Sequence, residues 1–211
     1  MRTAGPVGFD LDLTLINSRA AIMAAWSAVS AELGVVIDLD EVDQRMGIKL
    51  EDEVGYWFPA DGQQEAADSY RRHYARLAPT MTFPLPGAAE ALVAVRRKGE
   101  RAVIVTAKHQ ISVPPSLDAV GLRADAVFTH VHGPEKAAVL AQLGAAVYVG
   151  DTPADMAAGQ VAGALPVGVP TGSFSRADLT AAGAAVVLES LIQFESWYAG
   201  FRDDLGEELP R

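Results

Sequence analysis

Two hydrophobic rhythms alternate along this chain. Short runs rich in β-branched residues fall at 7–10, 101–106 (RAVIVT), 126–129 (AVFT), 146–150 (AVYVG) and 165–169, with a weaker one at 186–188. Between them, helical patterns cover 87–98, 115–120, 134–143 and 154–162, and Gly99, Gly121 and Gly144 stand just past three of these, where a left-handed C-cap is expected. Strands alternating with helices predict an α/β fold with a parallel sheet flanked by helices. The interval 18–82 breaks this rhythm. It carries helical patterns at 20–33, 39–46 and 63–77 and no strand, and it is far longer than a β-α-β crossover needs. The economical reading is a helical subdomain inserted after the first strand, with hinges near Ser18 and at 79–86. Near the C-terminus, Leu191, Ile192, Phe194, Trp197, Tyr198 and Phe201 form a stripe at helical spacing that should dock on the core, and the polar, acidic tail 203–211 should fray.

Composition narrows the function classes. With 211 residues, half of them hydrophobic and 21% charged, the chain can bury a sizeable core. A net charge of −10 argues against nucleic-acid and anionic-membrane partners, which need a basic surface. The absence of cysteine removes disulfides and thiolate metal sites and fits a reducing compartment. Residues 1–6 hold no signal-like apolar run and no stretch is long enough to span a bilayer, so a cytoplasmic protein is expected.

The chemistry concentrates first at Phe9-Asp10-Leu11-Asp12-Leu13-Thr14. If this run is a strand, Asp10, Asp12 and Thr14 share one face. Two carboxylates that close call for a cation or a shared proton, because unpaired buried charge is costly. Further polar groups end later strands or open the helices that follow them. Thr106 and the backbone N–H groups after it, beginning at Ala107, could hold an anion. Lys136 opens a helix, and Asp151 and Asp155 follow the run AVYVG. In an open parallel sheet such strand ends converge on one crevice. Hard oxygen ligands with few histidines suit Mg²⁺. Asp10 as nucleophile, Asp12 as acid/base, and Lys136 with the metal neutralising phosphoryl oxygens make a phosphoryl-transfer set. Lys108 and His109 stand at the edge of this site or in solvent. His130-x-His132 lacks a third metal ligand in the sequence, so it reads as a loop pair.

These four motifs, in this order, resemble those of the haloacid dehalogenase superfamily: Asp-x-Asp-x-Thr at 10–14, Thr106, Lys136, and Asp151 with Asp155. The segments 83–87 (FPLPG) and 116–122 (SLDAVGL) look closest to its phosphoglycolate-phosphatase-like branch. The resemblance implies a Rossmann-like core over 1–17 and 83–211, and an α-helical C1 cap over 18–82. It implies Asp10 as the group that forms an aspartyl-phosphate, and Asp12 as acid and then base. Asp10, Asp12 (through its carbonyl), Asp151 and Asp155 would serve Mg²⁺, and Thr14, Thr106, Ala107 and Lys136 would serve the phosphate. The cap loop at 45–49 would select the substrate through Arg45, Gly47 and Lys49. The expected activity is a Mg²⁺-dependent phosphatase acting on a small phosphorylated metabolite as a monomer or homodimer. A phosphonate hydrolase, a sugar phosphomutase and a catalytically weak binding protein are the alternatives. One position departs from the family pattern: Leu13 stands where most such phosphatases have glycine, which restricts the loop and the approach of substrate.

Overall fold

The computed structural model describes residues 5–207. Its main sheet is six-stranded, parallel throughout, and ordered β5-β4-β1-β6-β7-β8. The strands are β1 (Val7–Phe9), β4 (Ala102–Val105), β5 (Ala126–Phe128), β6 (Val147–Gly150), β7 (Leu165–Gly168) and β8 (Val186–Val187). Helices α5 (Ala88–Arg97), α6 (Val113–Val120), α7 (Pro134–Leu143), α8 (Pro153–Ala162) and α9 (Arg176–Ala181) connect them, and α10 (Phe194–Glu207) ends the described chain. One cluster of buried side chains joins Phe9 and Ile104 to Leu92, Phe194 and Tyr198. Another joins Val103, Val105 and Tyr148 to Leu140 and Ala158. The sheet is therefore covered on both faces, as parallel sheets usually are. Strand order reverses at β1, between β4 and β6, so the crevice expected of such sheets opens at the carboxyl ends of these three strands.

The interval after β1 forms a helical unit of α1 (Arg19–Leu33), α2 (Leu39–Gln44), α3 (Leu50–Trp57) and α4 (Gln63–Met81). It has its own apolar cluster, built on Ala21, Trp26, Val29, Val54, Tyr70 and Tyr74. Its two connections to the sheet domain pair with each other as an antiparallel ribbon, β2 (Ile16–Asn17) with β3 (Phe83–Pro84). Among the described residues, no helix is long and apolar enough to cross a membrane.

Several boundaries differ from the sequence reading. Helix α4 runs through Pro79 to Met81, so the second hinge is shorter than 79–86. Helices α3 and α9 were not foreseen because they are short. The second is started by a capping box between Ser175 and Asp178. In the C-terminal stripe, Leu191, Phe194, Tyr198 and Phe201 are buried in the core, whereas Ile192 is exposed. The tail expected to fray is helical as far as Glu207, and 208–211, like residues 1–4, lie outside the described residues.

Candidate active site

The strand pattern predicted for Asp10, Asp12 and Thr14 ends early. β1 stops at Phe9, and the Asp10 N–H makes the last bond along that edge, to Val149 O at 2.8 Å. The chain then turns tightly, with Leu13 N–H donating to Ile16 O at 2.7 Å and Leu13 itself at φ +60°. That is left-handed backbone, costly for a side chain with a Cβ and natural for glycine. The three polar residues therefore part company, because alternation holds only in extended backbone.

Asp10 sits buried at the crevice. Lys136, in the first turn of α7 and buried as well, brings Nζ to 2.7 Å from Asp10 Oδ1 and 2.8 Å from Asp155 Oδ1. Asp155 is fixed from its other side by the capping box of α8, in which Thr152 Oγ1 lies 2.6 Å from Asp155 Oδ2. The Tyr148 hydroxyl stands 3.0 Å from Val105 O and 3.1 Å from Asp155 Oδ1, so its one proton can serve either acceptor. Asp151, just past β6, accepts from Thr14 Oγ1 at 2.8 Å. The loop after β7 lies against Asp151 so closely that a Cβ at Gly172 would fall 1.9 Å from Asp151 Oδ2.

Asp10, Asp151 and Asp155 each offer a carboxylate oxygen within 4.8 Å of the others, and all three are buried. Burial pushes Asp10 up to about 7, with the Asp155 charge adding to it and Lys136 opposing it. Burial, then the charges of Asp10 and Asp155, raise Asp151 well above the carboxylate range. Burial alone would lower Lys136, but Asp10 and Asp155 outweigh it and hold the ammonium charged. Three carboxylates against one ammonium leave the cluster short of positive charge. Its donors are all hard oxygens, so the residues fit a divalent cation of the Mg²⁺ type.

Asp12 is held apart from this cluster. Lys108 Nζ lies 2.9 and 3.1 Å from its two oxygens, and Ser18 Oγ donates to it. Lys108 is buried over the Tyr74 ring at 4.1 Å, and the Asp12 charge raises its pKa against the pull of burial. Thr106, just past β4 and buried, accepts the Lys108 N–H at 3.1 Å; with Ala107 it lines the cavity. Thr14 does not line the cavity, because its hydroxyl is spent on Asp151.

The crevice and the helical unit together line one cleft. Arg45 and Gly47 line it and Lys49 does not. Arg45 Nε pairs with the buried Glu53 Oε2 at 2.9 Å, and its guanidinium lies 4.0 Å from the Tyr56 ring centre. Gly47, at φ +100°, rests against Thr152. Lys49 Nζ reaches Glu135 at 2.7 Å and ties the helical unit to α7. His130 and His132 diverge. His132 lines the cleft, while His130 turns toward His109 and Glu51, the three offering ligand atoms within 4.8 Å of one another. Sequence reasoning did not find Ser18, Tyr148, Thr152 or Gly172. Tyr148 in particular reads as an ordinary strand residue.

Comparison with known proteins bears on this geometry. The sequence profile of haloacid dehalogenase-like hydrolases matches residues 7–169. A phosphoglycolate phosphatase of Rhodospirillum rubrum is 29% identical over 95% of this chain and 93% of its own length. The structure of a hydrolase from Pseudomonas syringae superposes with a TM-score of 0.80 at 21% identity, covering 94% of this chain and 99% of that one. That of a haloacid dehalogenase-like family hydrolase from Streptococcus pneumoniae gives 0.79 at 20% identity, over 94% and 100%.

Proposed function

The chain belongs to the haloacid dehalogenase-like hydrolase family, and on that premise we propose that it is a Mg²⁺-dependent phosphatase that works through an aspartyl-phosphate on Asp10. The observation that carries this reading is the buried set of Asp10, Lys136, Asp155 and Asp151 at the carboxyl ends of β1 and β6. Lys136 occupies Asp10 Oδ1 and orients the carboxylate. Oδ2 accepts no hydrogen bond among the described residues, and it is the oxygen that attacks phosphorus. As the phosphorus–oxygen bond to the leaving group breaks, Asp12 gives that oxygen a proton. Asp12 then takes a proton from water, which attacks the same phosphorus and frees phosphate and Asp10. Lys108 and Ser18 hold the Asp12 carboxyl group in place beside the crevice. Thr106, the Ala107 backbone and Lys136 grip the phosphoryl oxygens.

Asp10, Asp151, Asp155 and the Asp12 carbonyl would hold the metal, which supplies positive charge to the phosphoryl group when bound. The helical unit serves as a cap that keeps bulk water from the reaction. Lys49, which a Schiff-base phosphonate hydrolysis would need at the substrate, is engaged with Glu135 away from the cleft, and this favours the phosphatase. The test is phosphate release from metabolite phosphates with and without Mg²⁺. Metal-dependent release that disappears in Asp10→Asn, with the circular dichroism spectrum unchanged, is the expected result. Turnover near wild type in Asp10→Asn removes the covalent route.

A further inference from the structure

The helical unit's side of the cleft is more apolar than the sheet's side, and the two charged groups that line it there, Arg45 and Glu53, pair with each other. Ile22 and Trp26 from α1, Val42 from α2, Met46 from the following loop, Leu50 from α3 and Tyr70 from α4 line it. Trp26 and Tyr70, both mostly buried in the helical unit's apolar cluster, meet at this side of the cleft with ring centres 4.8 Å apart and planes 39° from parallel. The Lys and Arg side chains that line the cleft are each already engaged with a carboxylate: Arg45 with Glu53, Lys108 with Asp12, Lys136 with Asp10 and Asp155. A second anionic group on a substrate would enter this half without a free partner and lose its hydration uncompensated. A polyol would lose water from several hydroxyls and meet mostly carbon. One hydroxyl on this side has no partner. The Tyr70 hydroxyl is on a side chain nine-tenths buried and has no hydrogen-bond partner among the described residues.

From this juxtaposition we propose that the helical half of the cleft is a binding subsite for an uncharged flat ring. The substrates are then phosphate monoesters of alcohols that carry an aromatic or similarly planar apolar group with a polar atom to meet Tyr70. The inference rests on the phosphatase reading and deepens it. The ring packs on Trp26 and Tyr70, where offset or tilted aromatic contacts add to plain burial. The phosphate lies at Asp10 and Lys136. This sets the chain apart from an enzyme whose substrate carries a carboxylate beside the phosphate, since Arg45 and Lys49 are neutralised by Glu53 and Glu135.

The test compares kcat/KM with Mg²⁺ for benzyl phosphate, naphthylmethyl phosphate, phosphoglycolate and glucose 6-phosphate. All four are esters of aliphatic alcohols, so the large acidity advantage of a phenolic leaving group plays no part. The expected result is an advantage of at least about tenfold for the two arylmethyl esters, carried mainly by KM, as a well-filled apolar pocket gives. Trp26→Leu should shrink that advantage by about tenfold. If that variant does not fold, Leu50→Arg serves instead, and should shift preference toward phosphoglycolate by supplying the missing free cation. A wild-type preference for phosphoglycolate or glucose 6-phosphate overturns the subsite and leaves the phosphatase standing. An arylmethyl advantage untouched in every folded variant overturns the placement of the ring. Release from none of the four esters, nor from any other phosphate monoester, brings down the phosphatase reading and the subsite with it.

Discussion

Replacing Lys136 by methionine would expose how much the site depends on one buried charge. Methionine keeps most of the apolar stem of lysine, so packing changes little and the perturbation is electrostatic. The wild-type ammonium lies 2.7 Å from Asp10 and 2.8 Å from Asp155, with all three side chains buried. Removing one partner of a buried ion pair costs about 3–5 kcal/mol, because the remaining charge keeps its desolvation penalty. For a chain of this size that is a fall in Tm on the order of 10 °C. The cost should depend on pH. Folded Asp10 holds its proton up to about 7, against 3.8 when unexposed to these neighbours. Between those values the folded state binds more protons than the unfolded one, so stability falls as pH rises through the window. Without Lys136 the folded acids hold their protons to still higher pH, and the fall extends further. The difference between variant and wild type should therefore be small near about pH 5 and large near about pH 9. Thermal unfolding in chelator at those two pH values measures it. Equal losses at both, or a more stable variant at high pH, would refute the idea that Lys136 offsets buried carboxylate charge. Phosphate release by the variant should fall by at least about a thousandfold, since both the orientation of Asp10 and phosphate neutralisation are lost.

Two further substitutions probe the loop and the cap. Leu13→Gly relieves about 1–2 kcal/mol of left-handed strain but gives up a buried leucine, a loss of about 2–5 kcal/mol, so it should unfold a few degrees earlier while turnover is kept or raised. Denaturant unfolding that shows a more stable protein, or turnover reduced beyond about tenfold, contradicts that balance. Lys49→Ala breaks a half-exposed pair worth under about 1 kcal/mol between the helical unit and α7, and should change kcat/KM by less than about threefold and alike on all esters. A loss confined to one ester would place Lys49 at the substrate after all.

Much of this protein is legible without its structure. The alternation of apolar runs with helical patterns announces a parallel sheet with helices, because those periodicities follow from local backbone geometry. The long strand-free interval at 18–82 announces a helical insertion for the same reason. Asp10, Lys136, Asp151 and Asp155 are recognisable because each falls at a strand end or helix start, and parallel topology gathers such ends at one crevice. The tertiary structure decided what local pattern cannot carry. It placed Tyr148 beneath Asp155, spent Thr14 on Asp151, and drew Lys108 from a loop onto Asp12. It sent Lys49 to Glu135 and brought Tyr70 into the lining of the cleft. Each of these depends on which groups distant in the chain compete for the same partner once water is excluded. That competition is settled by packing, and no spacing along the sequence encodes it.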